Sequence, residues 1–68
     1  MKKTEVNIEW KTDNNECYHA YYLDFIKENT RSIYAEGMYG NIYRVEKTTN
    51  RLYIDGKFNG IVTKCTSY

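Results

Sequence analysis

The last third of the chain constrains the fold most. Residues 42–66 read as three short runs, Ile42 to Thr48, Arg51 to Phe58 and Ile61 to Thr66, separated by Thr49-Asn50 and Asn59-Gly60. β-Branched and aromatic side chains suit a pleated surface, and Asn-Gly between such runs is a strong hairpin signal. Three meandering antiparallel strands are the expectation.

A second glycine dipeptide, Asp55-Gly56, competes for the last turn. A two-residue turn at Asn59-Gly60 pairs Phe58 with Ile61, Ile54 with Cys65 and Asp55 with Lys64. A turn at Asp55-Gly56 instead pairs Ile54 with Lys57 and sets Leu52 beside Asn59. A slip of one residue exchanges the faces of a strand, so the register that groups apolar residues is expected. Extended through a two-residue turn at Thr49-Asn50, it pairs Val45 with Ile54 and Arg44 with Asp55. The inner face then holds Tyr43, Val45, Leu52, Ile54, Phe58, Ile61 and Cys65. The outer face holds Ile42, Arg44, Glu46, Tyr53, Asp55, Lys57, Val62 and Lys64, with Arg44, Asp55 and Lys64 as a row of alternating charge.

The first half of the chain is less regular. Thr4 to Lys11 alternates, Val6, Ile8 and Trp10 against Glu5, Asn7, Glu9 and Lys11, as a half-buried strand does. Asp13 and Glu16 have the spacing of a capping box. From Glu16 to Asn29 the apolar period lengthens: Tyr18, Tyr21, Tyr22 and Phe25 fall at i, i+3, i+4 and i+7, which predicts a helix. A strand is the competitor, because Tyr, Phe and Ile are weak helix formers. Arg31 to Glu36 reads as a short strand and Gly37–Asn41 as a flexible loop. The expected fold is α+β, a single domain over residues 1–68. One helix packs on one face of an antiparallel sheet of four to five strands, in the order β-α-β-β-β(-β).

With 68 residues, the chain must bury most of its apolar side chains. Conformational entropy costs roughly 1.5 kcal/mol per residue, and apolar burial at about 25 cal/mol per Å² must offset nearly all of it. A roomy catalytic cleft would remove core from so small a domain. His19 is the only histidine, and Cys17 two residues before it points elsewhere on a helix, so no nucleophile–base pair forms. Metal spacings such as CxxC or HxxxH are missing, and Gly37 to Gly40 lacks the lysine and following helix of a phosphate loop. These observations argue for a protein that is not an enzyme, with no cofactor and no metal.

Met1-Lys2-Lys3 is followed by polar Thr4 to Asn7 rather than an apolar run, and no stretch approaches about 20 apolar residues. A cytoplasmic location without membrane contact is therefore expected, with Cys17 and Cys65 as free buried thiols rather than a disulfide. Ten Lys and Arg against nine Asp and Glu lack the basic excess of a general duplex-DNA binder.

Eight tyrosines, with Trp10, Phe25 and Phe58, exceed what the core can absorb. Tyr18, Tyr21, Tyr22 and Tyr43 are expected inside, Tyr34 and Tyr68 are unassigned, and Tyr39 and Tyr53 are left for a partner. Tyrosine joins large contact area to a polar handle, the mix found at recognition surfaces. Two partner classes follow. The first is a larger protein or ribonucleoprotein, met by Tyr39 and Tyr53 as anchors with Arg44, Asp55, Lys57 and Lys64 setting register. The second is single-stranded nucleic acid, stacked on Tyr53 among Arg44, Arg51, Lys57 and Lys64. Glu46 and Asp55 on the same face count against the second, and the protein partner is the first choice. The oligomeric state is left open, a dimer included.

The segments Ile42-Tyr43-Arg44-Val45-Glu46-Lys47 and Arg51-Leu52-Tyr53-Ile54-Asp55-Gly56 resemble hairpins of small phage and mobile-element proteins that block host defences, anti-CRISPR proteins among them. Size, Asn/Lys/Tyr/Ile-rich composition and element order carry the likeness across the chain. The resemblance implies a stoichiometric inhibitor in the host cytoplasm that occludes a larger machine such as a CRISPR-Cas effector. No diagnostic motif transfers a functional residue.

Overall fold

The computed structural model describes residues 3–68, so the leader reading at Met1 and Lys2 lies outside the described residues. Six strands follow in chain order: β1 (Glu5–Lys11), β2 (Cys17–Glu28), β3 (Ser32–Glu36), β4 (Ile42–Glu46), β5 (Arg51–Ile54) and β6 (Lys57–Ser67). Each pairs antiparallel with the next, and β6 returns to β1, closing an up-and-down barrel. The described residues contain no helix, so the α+β expectation is overturned in favour of an all-β barrel.

The predicted helix is β2, and two bulges explain its misleading period. Val6 lies opposite Leu23 and Ile8 opposite Ala20, so Tyr21 and Tyr22 together face the single residue Asn7. Tyr22 takes a left-handed φ of 63°, and its N–H donates to Asn7 Oδ1 at 2.8 Å. Ile26 is a second extra residue, between Phe25 opposite Ala35 and Lys27 opposite Tyr34. A bulge places two residues against one and bends the strand. The positions packed toward the core become Tyr18, Ala20, Leu23 and Phe25, spaced two, three and two. The apparent helical stripe Tyr18, Tyr21, Tyr22 and Phe25 therefore joins two core-side residues to the outward pair at the first bulge, while the backbone follows the β preference of Tyr, Phe and Ile. The capping-box residues instead join the β1–β2 turn, where Thr12 N–H donates to Glu16 O at 2.9 Å.

The C-terminal register also differs. The tight turn falls at Asp55-Gly56, with φ of 51° and 84°, the left-handed pair that matches strand twist in two-residue hairpins. Ile54 pairs Lys57 and Tyr53 pairs Phe58, after which Asn59 bulges and Leu52 meets Gly60. The bulge returns the apolar parity that the turn alone would lose. Asn59-Gly60 is therefore no turn. A Cβ on Gly60 would collide with the Lys11 carbonyl oxygen and lie 3.1 Å from Trp10 Cδ1, so glycine lets β6 close against β1. Thr63 bulges in turn, between Trp10 opposite Val62 and Glu9 opposite Lys64.

Between β4 and β5 four residues form the loop, and Val45 pairs Leu52 while Arg44 pairs Tyr53. This slip of two preserves faces, so Tyr43, Val45, Leu52, Ile54 and Cys65 stay inside or against the core. Phe58 and Ile61 move outward at 44% exposure each, and Val62 moves inward. The charge row Arg44–Asp55–Lys64 does not form.

The core comprises Val6, Ile8, Trp10, Leu23, Ala35, Val45, Leu52 and Val62. Burying each Val, Ile or Leu of this set contributes about 1.5–3 kcal/mol. Of the tyrosines expected inside, Tyr43 packs against this core, while Tyr18 stacks on Trp10 at 6.1 Å from the rim. Tyr21 and Tyr22 project outward. Both cysteines are free, and Cys17 is exposed rather than buried. No described helix is long and apolar enough to cross a membrane.

Candidate functional site

Register alone brings five side chains into one row on the outside of the barrel. Lys27 of β2 lies opposite Tyr34 of β3, which lies opposite Arg44 of β4. Arg44 lies opposite Tyr53 of β5, which lies opposite Phe58 of β6. With strands about 4.8 Å apart, this row crosses roughly 19 Å of surface.

Within the row, cations and rings meet in pairs. Lys27 Nζ is 4.8 Å from the Tyr34 ring centroid, and Arg44 Cζ is 4.3 Å from that of Tyr53. Tyr53 and Phe58 meet edge to face at 5.9 Å, and Arg51 Cζ is 5.8 Å from the Phe58 centroid. Each exposed cation–π contact contributes about 0.5–1 kcal/mol, enough to bias rotamers and hold rings against the sheet. The row is a pre-arranged platform of π surfaces with positive charge between them.

Two carboxylates share the region, and both are engaged. Asp55 Oδ1 accepts the Ile42 N–H at 2.9 Å and Oδ2 accepts Asn41 Nδ2 at 2.8 Å. These bonds, the backbone one foremost, hold its carboxyl below the ordinary range. Asp55 thus clamps the β5–β6 turn to the start of β4. Glu46 accepts Thr49 Oγ1 at 2.7 Å and Arg44 Nη1 at 3.3 Å. The Thr49 bond, more than the Arg44 contact, lowers its pKa as well.

Beside the row lies an open basin of about 610 Å³, walled by Asn29, Arg31, Tyr34, Arg44, Glu46 and Thr48. Its size falls within the range of small-molecule sites. On the far side of the barrel, Asn7, Glu9, Tyr21, Lys64 and Thr66 line a cleft of only about 110 Å³. There Tyr21 Oη donates to Glu9 Oε2 at 2.6 Å, a bond that pushes the phenol pKa up.

Of the residues singled out in sequence, the structure brings Arg44 and Tyr53 together and places Lys57 next to Phe58 at the head of the last hairpin. Lys64 pairs Glu9 on the other side, and Asp55 is spent on the turn. Tyr39, 89% exposed, sits on the β3–β4 loop with Met38 at 91%. Sequence reasoning missed Lys27, Tyr34 and Phe58. The Asp55-Gly56 turn was the available signal for Phe58, since it sets Phe58 directly opposite Tyr53.

No protein-family model matches this chain, and no curated protein or solved structure matches it significantly.

Proposed function

We propose that this chain is a non-enzymatic binding module that holds single-stranded nucleic acid across the outer face of β2 to β6, in the cytoplasm. The row Lys27–Tyr34–Arg44–Tyr53–Phe58 carries the reading. Bases stack on aromatic rings whatever their sequence, at about 1–3 kcal/mol per base, while interleaved cations meet the phosphates. The carboxylates that counted against this reading in sequence are engaged, Asp55 by backbone and Asn41, Glu46 by Thr49 and Arg44. Clustering thus supplies what a net charge of +1 does not.

Fluorescence anisotropy with labelled oligouridylate and oligothymidylate tests the proposal. Binding should weaken with salt at a log–log slope of about −2 to −3, as expected for three or four neutralised phosphates on a single strand. Absence of binding at low salt contradicts it.

The second reading is a stoichiometric inhibitor of a larger host protein or ribonucleoprotein, of the anti-CRISPR type. Exposed Met38 and Tyr39 at the loop tip favour it. A nuclease-resistant complex that is lost in Tyr39→Ala and kept in Tyr53→Ala would support this reading over the first.

A further inference from the structure

We infer that the basin between the β2–β3 turn and β4 is a guanine-selective subsite at the Tyr34 end of the aromatic row. The inference rests on the nucleic-acid reading above and adds a base preference to it.

The basin puts a stacking ring, guanidinium groups and a carboxylate around one space. Tyr34 supplies the ring, Arg31 and Arg44 the cations and Glu46 the carboxylate. Arg31 is held at its backbone on both sides: its N–H donates to Asn29 Oδ1 at 2.8 Å, and its carbonyl accepts the Lys47 N–H at 2.8 Å. Its side chain has no ion-pair partner among the described residues. Each Glu46 oxygen accepts one bond, and a carboxylate offers about four acceptor sites, so capacity remains on both oxygens. The Arg44–Glu46 contact, at 3.3 Å, is longer than the usual 2.7–2.9 Å of a charge-assisted bond and occupies one guanidinium nitrogen.

Among the four bases, guanine best matches that set. Its N1–H and N2 amino group form two adjacent donors that fit a carboxylate side by side. Its O6 and N7 are two adjacent acceptors that fit a guanidinium fork. Adenine and cytosine present one exocyclic donor group beside ring acceptors, and uracil one N–H flanked by carbonyls. None of these engages Glu46 through two neighbouring donors.

The test uses the intact protein and eight-nucleotide probes, U8 and U8 carrying one central G, A, C or inosine, with the deoxy series on dT8 in parallel. The G probe should bind at least about fivefold more tightly than U8. The A and C probes should stay within about twofold of it. Inosine, which lacks the 2-amino group, should lose most of the gain without any change to the protein. Glu46→Gln should abolish the G preference, so that this variant binds the G probe no more tightly than it binds U8. Selectivity in the ribo series, the deoxy series or both supports the subsite and identifies the strand type. Equal binding of all probes, preference for another base, or a G preference that survives both inosine and Glu46→Gln overturns the subsite. Binding of U8 or dT8 without selectivity leaves the platform standing; no binding by any probe removes both.

Discussion

Gly60 reads in sequence as half of a turn, and its structural role is to carry no side chain. A Cβ there would collide with the Lys11 carbonyl where β6 seals against β1. Gly60→Ala should therefore destabilise the protein by about 1–3 kcal/mol, an overpacking cost, seen as a lower urea midpoint. Gly56 meets nothing within 4 Å, but its φ of 84° makes it a turn residue. In the core, Ile8 is 1% exposed, and Ile8→Ala should cost about 2–5 kcal/mol, a large share of the total for a chain this small. At the surface the effects separate. Tyr53→Ala and Phe58→Ala should each weaken oligonucleotide binding by about 1–3 kcal/mol. Both should leave the thermal midpoint within a few degrees of the parent, since both rings lie outside the core cluster. Anisotropy and a circular dichroism melt on the same samples check the pair.

The strands differ in how openly the sequence shows them. β1 alternates without interruption, and its apolar trio Val6, Ile8 and Trp10 is the buried face. The pairing of β4 with β5 slipped by two residues without harm, because parity survives an even slip and Tyr43, Val45, Leu52 and Ile54 keep their side. β2 and the start of β6 were illegible for one physical reason: a bulge adds one residue and reverses parity, and nothing local announces it. In β2 the extra residue broke the period of two, and the outward pair Tyr21-Tyr22 at the bulge read as one stripe with Tyr18 and Phe25. In β6, Asn59 rescued a register that simple alternation rejects. The candidate site suffered in step, since Phe58 could reach the row only through that rejected register.

β2 also carries an acid-sensitive anchor at its end. Glu28 takes Lys3 Nζ at 2.7 Å and Lys47 Nζ at 2.6 Å, tying the strand to the N-terminal segment and the β4–β5 loop. Lys3 first and Lys47 second bring its pKa from 4.5 down to about 2. A carboxyl with a lowered folded pKa stabilises fully above the unfolded value, and that contribution fades as pH falls toward the folded one. The advantage of the parent over Glu28→Gln in thermal midpoint should thus be constant from pH 7 to about 5 and shrink between pH 4.5 and 2. A gap that persists at pH 2 would contradict the anchor. Glu46 and Asp55, also lowered, add acid lability of the same sign.

At the scale of the molecule, closure decides what surface remains. A sheet of Tyr- and Ile-rich strands with free edges invites pairing with other chains, and joining β6 to β1 removes both edges. Closure also lets a small core of eight buried apolar residues serve all six strands, so the aromatics left over stand outside. The expected helix would have covered one sheet face; the described residues hold no helix, and the outer wall of β2 to β6 is left uncovered. On that wall lie the cation–aromatic row and its basin, and on the far side a small cleft bordered by the Tyr21–Glu9 bond. The two sides make the binding claim directional. Titrating the 15N-labelled protein with U8 and dT8, and following backbone amides by NMR, reads that direction. Shifts should concentrate at Lys27, Tyr34, Arg44, Tyr53 and Phe58, with Glu9, Tyr21 and Lys64 unmoved. Shifts centred on Met38 and Tyr39, on the β1 side, or nowhere at saturating oligonucleotide would contradict it.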